Sequence, residues 1–423
     1  MERSTLPPRP DDAAGRTARV ALVLLTAVNL LNYLDRFVVA ALVEPMKHDL
    51  ALSDAQVGWI LTSFIVVYTV ASPAFGALGD RLARPPLLGL GVALWSAATS
   101  VAGFARSFAA LLAARAAVGI GEAAYGTISP GLIADHYPES RRGRAYAVFF
   151  MAIPVGAALG YVVGGLVERL LGWRASFLVA GAPGLLLAWA CARLPDPPRG
   201  ARDAATGREG KTPPGAITAT YARLLRNPAY AWAVVGYAAY TFAVGGMANW
   251  MPAFLERVRG VPRVEATVQF GAIVVATGLA GTIGGGLVAD ALRARWRAAD
   301  RWVSGVATLA AAPLVVVVFR AEGRAAYLAA LVGAQLLLFA CTGPVNAAIM
   351  AAVSPSERAT AAALSIFAIH AFGDVPAPVL VGALSDRRSL GEAVLIVPVA
   401  VFLGGAVWTW GAWRRERAAR KAR

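Results

Sequence analysis

The sequence contains few of the residues on which secreted proteins and many enzymes depend. Its 423 residues include 2 cysteines and 3 histidines, and only 15% of the residues are charged. Both cysteines, Cys191 and Cys341, fall within apolar stretches, so they imply neither a disulfide framework nor a metal centre. No Asn-X-Ser/Thr glycosylation acceptor is present, and the segments between the apolar stretches hold no G-x-S-x-G or Walker-type string. These absences argue against a secreted domain, a metalloprotein and an enzyme.

Long apolar runs make up most of the chain instead. Hydrophobic residues account for 58% of it, whereas soluble domains are nearer half apolar and a quarter charged. A run of about 18 to 25 such residues is long enough to cross a hydrocarbon core of about 30 Å as a helix. We therefore predict an all-α membrane protein with twelve transmembrane helices. Their expected spans are 18–40, 55–78, 86–105, 108–134, 143–167, 175–194, 229–255, 267–291, 302–319, 325–352, 358–384 and 392–413.

The formal net charge of +15 is distributed in a way that favours membrane topology over nucleic-acid binding. Most lysines and arginines fall in segments that share one side with the N-terminus, and positively charged segments stay in the cytoplasm. Both termini are therefore expected in the cytoplasm, with no nucleic-acid partner. The tail WRRERAARKAR is either attracted to anionic lipid headgroups or only a stop-transfer anchor. The polar N-terminal segment is expected to be a disordered leader, because the apolar run after it is too long for a cleaved signal.

Two motifs recur half a chain apart. Gly76–Arg84 (GALGDRLAR) is echoed by Gly285–Arg295 (GGLVADALRAR), and Tyr137–Ala145 (YPESRRGRA) is echoed by Ser354–Ala362 (SPSERATAA). Such echoes indicate an internal duplication into two six-helix bundles, the parallel repeat of a transporter. The predicted division is a cytoplasmic leader at 1–17, an N-terminal bundle at 18–194, a cytoplasmic linker at 195–226, a C-terminal bundle at 227–413 and a basic tail at 414–423.

Four ionisable residues stand inside apolar spans of the first half. Asp35 and Arg36 belong to the string NYLDR in the first span, and Arg115 and Glu122 belong to AARAAVGIGEAAY in the fourth. Because Arg115 and Glu122 are seven residues apart, a helix places them on one face. Charges in an apolar span are costly unless they face protein or water, so these residues indicate a polar cavity where protonation of a carboxylate switches its pairing with an arginine. Two alternatives stay open: Asp35 and Arg36 are solvated near a helix end, or Arg115 and Glu122 only hold helices together.

Charged turns at the inner ends of the second and eighth spans indicate a gate. Gly76 lets another helix approach, and Asp80 with the arginines after it forms a turn that can lock against a neighbour and release it. An ordinary charged loop is the alternative, and the recurrence of the pattern favours a gate. The predicted gate residues are Gly76, Asp80, Arg81, Arg84, Asp290 and Arg293.

Polar residues are fewer inside the spans of the second half. His370 and Asp374 are spaced for a hydrogen bond on a helix, which is either proton-linked or a structural polar pair. This asymmetry suggests that the N-terminal bundle handles protons or charge, while the C-terminal bundle supplies surface and hydrogen bonds. The residues predicted to line a substrate cavity are Arg115, Tyr125, Asn32, Tyr33, Tyr240, Asn249, Trp250 and Asn346.

Several of these strings resemble a known family. GALGDRLAR resembles the signature between the second and third helices of the major facilitator superfamily, and the duplicated twelve-helix plan agrees over nearly the whole chain. Within that superfamily, NYLDR, ARAAVGIGEAAYGTISPGLIADHYP and GAALGYVVGG resemble the spinster group of lipid transporters. NYLDR alone also occurs in carriers of organic anions and sugar acids. The second-half gate string departs from the signature, because Ala294 stands at the spacing of the second arginine.

The resemblance implies alternating access between the two bundles, with helices one, four, seven and ten lining the central cavity. It implies a lysophospholipid or sphingosine-phosphate-type cargo and, in some members, proton linkage. Asp35 and Glu122 match the membrane carboxylates of the family, and Arg36 and Arg115 match their cationic partners.

The expected function is therefore secondary active transport, with the proton as coupling ion and no other cofactor. Scarce lysine and the missing glycosylation acceptor suit a bacterial chain, so we expect the inner membrane of a bacterium as its location. We also expect the protein to be a monomer. The alternative is proton-coupled transport of a small organic anion, a sugar acid or a drug-like compound, which an arginine-bearing cavity also suits. A membrane enzyme or a non-transporting receptor is a more distant alternative.

Overall fold

Helices account for nearly all of the described residues in the computed structural model, which are 10–199, 214–296, 298–354 and 357–421. Twelve helices within those residues are long and apolar enough to cross a membrane. The predicted all-α membrane fold with twelve transmembrane helices is therefore confirmed. We number these helices α1 (Pro10–Ala41), α2 (Asp54–Arg81), α3 (Arg84–Ala102), α4 (Phe108–His136), α5 (Glu139–Leu171), α6 (Trp173–Ala192), α7 (Pro228–Arg257), α8 (Arg263–Arg293), α9 (Ala299–Arg320), α10 (Arg324–Phe339 and Thr342–Met350), α11 (Arg358–Ile369 and Pro376–Arg387) and α12 (Leu390–Ala393 and Ile396–Lys421).

The ends of the helices follow local sequence signals. Ser53 and Gln56 exchange side-chain and backbone hydrogen bonds in a capping box that starts α2. Asn227 caps the first amides of α7, and Pro228 occupies the first helical position, where its missing N–H is not needed. Between α5 and α6 the chain turns at Gly172 with φ +84°, a conformation that glycine adopts without a steric penalty.

A π-helical turn at His370–Asp374 interrupts α11. The amide of Val375 donates to the carbonyl of His370, five residues earlier, at 3.2 Å. The next residue is Pro376, which has no amide hydrogen to continue the regular ladder. Such single turns change the direction in which side chains project, and they are frequent at functional sites.

The helix pairings of the first half recur six helices later. In the first half, α2 packs on α4 and α3 packs on α6; in the second half, α8 packs on α10 and α9 packs on α12. The small residues of the string GAALGYVVGG face α1, since a Cβ atom added at Gly156 would lie 2.4 Å from the carbonyl oxygen of Leu30. This close approach places α5 directly behind the helix that carries Asp35 and Arg36.

The twelve helices alternate in direction, so the N-terminal helix start, the linker and the C-terminal tail lie at one end of the protein. We call this the basic end, because it holds the arginine-rich turns, and we call the opposite one the far end. At the basic end, residues 10–17 continue α1 where the sequence predicts a disordered leader; residues 1–9 lie outside the described part. A proline followed by acidic residues is a common helix start, which the proline-rich composition of the leader conceals.

The predicted linker contains a helix of its own, Pro214–Arg226, while residues 200–213 lie outside the described residues. Arg223 Nε of this helix donates to Glu357 Oε1 at 2.5 Å, beside the turn between α10 and α11. Hydrogen bonds from Ser354 and Arg223 hold the pKa of Glu357 below its ordinary value, so this carboxylate stays ionised at neutral pH. The pair fastens the linker to the second six helices.

Candidate functional site

Asp35 and Arg36 point to different partners from adjacent positions on α1. Asp35 is fully buried, where it accepts hydrogen bonds from Thr99 Oγ1 at 2.8 Å and from Arg115 Nη1 at 3.3 Å. Successive residues of a helix project about 100° apart, which sends the Arg36 side chain to another helix face. The Asp35–Arg115 pair joins α1, α3 and α4 inside the first bundle, with about 1% of either side chain exposed.

Arg36 pairs with Glu122 instead. Its Nη2 and Nε atoms lie 2.6 and 2.9 Å from the same oxygen, Glu122 Oε2. The arginine side chain is 20% exposed, whereas the glutamate side chain is completely buried. Glu122 Oε1 is buried and has no hydrogen-bond partner within the described residues. The site therefore presents one accessible cation and keeps one carboxylate oxygen free behind it.

Aromatic rings surround the accessible arginine. The guanidinium carbon of Arg36 lies 5.0 Å from the ring centre of Tyr33, 5.1 Å from that of Phe64 and 5.6 Å from that of Tyr68. The guanidinium group of Arg115 also lies over Phe64, at 5.2 Å. Electron-rich ring faces stabilise a cation without neutralising it, so these rings support the Arg36 guanidinium in addition to its ion pair with Glu122.

The second bundle contributes the predicted pair His370 and Asp374. His370 Nδ1 lies 3.0 Å from both carboxylate oxygens of Asp374, within the π-helical turn of α11. The His370 ring meets Tyr68 edge to face with ring centres 6.2 Å apart, and Asp374 packs against Gly245 of α7. Tyr68 thus touches both the arginine of the first bundle and the histidine of the second.

The predicted cavity residues separate into two groups. Tyr33, Asn249 and Asn346 are partly or fully accessible, and Asn346 Nδ2 contacts the hydroxyl oxygen of Tyr237 at 3.4 Å. Arg115 is nearly inaccessible, as described above. Asn32 is also buried and its Nδ2 has no partner within the described residues.

Three other predicted cavity residues lie in the packing between helices rather than on an open surface. Tyr125, Tyr240 and Trp250 are each at most 5% exposed. Their polar atoms donate to the carbonyl oxygens of Leu25, Leu338 and Pro378 respectively. A buried aromatic side chain with one polar atom requires such a partner, and here the backbone of a neighbouring helix supplies it. These three side chains therefore stabilise contacts between helices.

The predicted gate residues of the first bundle behave differently from one another. Asp80 and Arg81 are exposed at the basic end, and a Cβ atom added at Gly76 would have no neighbour within 4 Å. Arg84 is buried, and it binds Asp135 at 2.5 Å and Asp196 at 2.8 Å. It therefore fastens α3 to α4 and to the start of the linker after α6.

The second copy of the gate motif also forms contacts within its own bundle. Arg293 binds both Asp290 and Asp300, with Nη2 2.7 Å from Asp300 Oδ1, and so connects α8 to α9. In this conformation the described gate contacts do not join the two bundles.

Contacts between the bundles concentrate at the far end. Asp54, at the start of α2, accepts hydrogen bonds from Arg257 Nη1 of α7 at 2.6 Å and from Ser385 Oγ of α11 at 2.5 Å. Arg257 also binds Glu44 of the short helix Val43–Asp49, and Lys47 of that helix lies 2.6 Å from Asp54. This cluster joins the two bundles at the far end of the protein.

The sequence-based prediction did not include the contact that Asp54 and Arg257 make between the two bundles. Both residues stand at helix ends, where charged side chains are ordinary, and they are separated by 203 positions. Tyr68 and Phe64 were missed as well, because aromatic residues in an apolar helix resemble any other core position. The described residues contain no group of three or more His, Cys, Asp or Glu side chains placed to hold a metal ion.

Comparisons with known proteins agree with this architecture. Residues 25–373 match the family model of the Major Facilitator Superfamily. The chain is 33% identical to Protein spinster homolog 3 of Danio rerio, across 94% of this chain and 85% of that protein. It is 32% identical to Sphingosine-1-phosphate transporter SPNS2 of Danio rerio, across 92% and 83% of the two chains. The crystal structure of a bacterial homologue of the human lysosomal transporter spinster, inward-facing and unoccupied, superposes with a TM-score of 0.83 at 24% identity, covering 96% of this chain and 98% of that one.

The fold and its relatives define an integral membrane transporter of the major facilitator type rather than an enzyme. The chain belongs to the spinster family of that superfamily.

Proposed function

We propose that this transporter moves an amphipathic lipid with an anionic phosphate headgroup, of the lysophospholipid or sphingosine-phosphate type, by proton-linked alternating access. The observation that carries the proposal is the Arg36–Glu122 pair, in which an accessible cation is held by a buried carboxylate with one free oxygen. The name of the SPNS2 relative gives sphingosine-1-phosphate as the cargo of that protein, which supports the lipid class.

Arg36 is the residue that we assign to the headgroup. A guanidinium binds phosphate through two parallel hydrogen bonds, so an arginine suits this role better than a lysine. Arg115 carries the same charge, but it is sealed against Asp35 and is only about 1% exposed. Arg115 therefore holds the helices around the site, and Arg36 meets the substrate.

Proton uptake releases Arg36 from its partner. When a proton adds to Glu122, the carboxylate becomes a neutral acid and the ion pair with Arg36 is lost. Neutralising one member of a buried ion pair changes the free-energy difference between two conformations by a few kcal/mol. A change of that size is enough to shift their relative populations. The His370–Asp374 pair is the second candidate for proton exchange, since its imidazole is in contact with Tyr68.

The acyl chain has a suitable surface in the second bundle. An apolar groove of about 820 Å³ lies between α7, α11 and α12, and its lining includes Val235, Phe242, Phe367, Phe372 and Leu403. Phe372, which lines the groove, belongs to the same π-helical turn as His370 and Asp374, so α11 connects the groove to the polar site along the chain. A small organic anion needs no such groove, and this favours the lipid over the sugar-acid and drug-like alternatives.

The orientation and setting complete the proposal. We place the basic end in the cytoplasm, because arginine-rich turns are retained there, and the protein in the inner membrane of a bacterium as a monomer. The proton is the coupling ion and no other cofactor is required.

Transport by purified protein in liposomes tests the proposal. Lysophospholipid, sphingosine phosphate and a short carboxylate are compared, each with and without a proton gradient. We expect gradient-dependent movement of the lipids only, with Arg36→Ala raising the half-saturating lipid concentration about tenfold. Glu122→Gln should remove the response to the gradient, while Glu322→Gln, an exposed carboxylate at the far end, serves as the matched control.

Two results would contradict the proposal. If the short carboxylate is transported in preference to the lipids, the cargo is a small anion rather than a lipid. A full gradient response in Glu122→Gln rejects the proton switch and leaves the pair with a structural role.

A further inference from the structure

An arginine-lined pocket lies away from the Arg36–Glu122 site. It has a volume of about 350 Å³ and lies at the basic ends of α7, α9 and α12. Its polar lining comes from Asn227, Arg301, Arg414 and Arg415, and Trp232 forms an aromatic side. None of these residues belongs to α1, α2, α4 or α11, which carry the central charges and aromatic rings.

Arg301 is the buried member of this group. It is only 4% exposed, and its Nη2 donates to the carbonyl oxygen of Ala229 at 2.9 Å. Its Nε is buried and has no hydrogen-bond partner within the described residues. A buried guanidinium with an unused donor is costly unless an anion completes its hydrogen bonds.

Nearby carboxylates are already engaged elsewhere. Asp300, next to Arg301 in the chain, binds Arg293 at 2.7 Å. Glu416, next to Arg415, accepts the amide hydrogen of Ala298 at 2.9 Å. Arg414 and Arg415 add positive charge at the mouth of the pocket. The pocket therefore has an excess of cations over free carboxylates among its described neighbours.

Tryptophan side chains place the pocket at the depth of lipid headgroups. Trp232 and Trp410 meet edge to face with ring centres 4.6 Å apart, and the Arg414 guanidinium lies 4.8 Å above the Trp410 ring. Trp410 and Trp413 are 41% and 46% exposed on the surface of α12. Tryptophan is enriched at the boundary between hydrocarbon and water, and arginine beside it faces lipid phosphates.

We propose that this pocket binds the phosphate of an anionic phospholipid from the leaflet at the basic end. Arg301 contacts the phosphate from inside the protein, and Arg414 and Arg415 contact it from the membrane surface. The acyl chains remain in the bilayer beside α7 and α12. The lipid bridges α7, α9 and α12 and is held rather than transported, so this inference does not depend on the identity of the cargo.

Lipid retention by the full-length protein tests the site. Protein in detergent is titrated with phosphatidylglycerol, phosphatidylcholine or inorganic phosphate, and bound lipid is counted by native mass spectrometry while unfolding is followed thermally. We expect phosphatidylglycerol to bind and stabilise the protein, with Arg301→Gln and Arg415→Gln each weakening its binding about tenfold. Arg417→Gln is the matched control, since Arg417 lies on the same helix but outside the pocket and packs over Trp413.

The variants and ligands distinguish the proposed site from its alternatives. Unchanged phosphatidylglycerol binding in both pocket variants overturns the site, and so does an equal loss in Arg417→Gln. Equal binding of phosphatidylcholine overturns the selectivity for an anionic lipid, and stabilisation by inorganic phosphate alone replaces the lipid with a free anion. If Arg301→Gln does not fold, Arg415→Gln decides, because its side chain lies at the mouth of the pocket.

Discussion

Tyr68 of α2 and His370 of α11 meet edge to face with ring centres 6.2 Å apart, and this contact joins the charged sites of the two bundles. Tyr68 also lies 5.6 Å from the guanidinium carbon of Arg36. The ring of Tyr68 thus contacts both Arg36, to which we assign binding of the substrate headgroup, and the imidazole of His370 in the second bundle. Any movement of one bundle against the other at this level changes the surroundings of both groups.

The ring of Tyr68, rather than its hydroxyl group, should matter for transport. We expect Tyr68→Phe to keep lipid transport within about twofold, because the face over Arg36 is retained. Tyr68→Ala should lower transport about tenfold, since a partly desolvated cation–π contact contributes about 1–2 kcal/mol. Initial rates in proteoliposomes measure both variants. An equal loss in both would assign the function to the hydroxyl group.

Asp35→Asn should destabilise the protein more than Glu122→Gln does. The first change leaves Arg115 charged and sealed without a counter-ion, a defect of about 3–5 kcal/mol in buried pairs. The second leaves Arg36, whose side chain is 20% exposed and can be hydrated. Thermal unfolding in detergent measures the order, with Glu322→Gln as the unaffected reference. The reverse order would contradict the distinction between a structural and a functional pair.

Asp54→Asn should loosen the far end. The change weakens the hydrogen bonds from Arg257, Lys47 and Ser385, so the population with an open far end rises. Distances between spin labels on α2 and α11 at that end should broaden toward longer values. Glu265→Gln is the control, because its exposed pair with Arg324 lies at the same end but within one bundle. Equal broadening in the control would show a general loss of stability.

Two glycines of α2 should respond differently to added volume. A Cβ atom at Gly58 would lie 2.5 Å from the carbonyl oxygen of Pro378, so Gly58→Val should prevent closure of the far end. Gly76 has no neighbour within 4 Å of such an atom, and Gly76→Val should leave this conformation intact. If the basic end closes against Gly76 during transport, Gly76→Val should lower the transport rate about tenfold and leave the thermal unfolding temperature unchanged. Normal transport by Gly76→Val would remove Gly76 from the gate.

Sequence reasoning reached the fold because the length of an apolar run decides whether a helix can cross a membrane. It also identified Asp35, Arg36, Arg115 and Glu122, since a charge in an apolar span stands out whatever its partner is. The crossed pairing of these four residues depends on which helices touch, and no local pattern encodes that. The same holds for Asp54 and Arg257, which become a closing contact only when α2 and α7 meet.

The spacing of His370 and Asp374 correctly suggested their hydrogen bond, although the chain between them forms a π-helical rather than an α-helical turn. The proline that favours this irregularity lies outside the pair, at Pro376. A pattern search that considers only the two polar residues therefore finds the contact and misses the bend.

Phe64 gives the two ion pairs a common neighbour, because the guanidinium groups of Arg36 and Arg115 both lie over its ring. The accessible pair and the sealed pair are consequently not independent electrostatic units. When Arg36 leaves the ring for another anion, the surroundings of Arg115 change although no ligand reaches it. The changes in unfolding free energy caused by substitutions in the two pairs should therefore not be additive. Phe64 is the residue that transmits the binding of an anion at Arg36 to the buried Asp35–Arg115 pair.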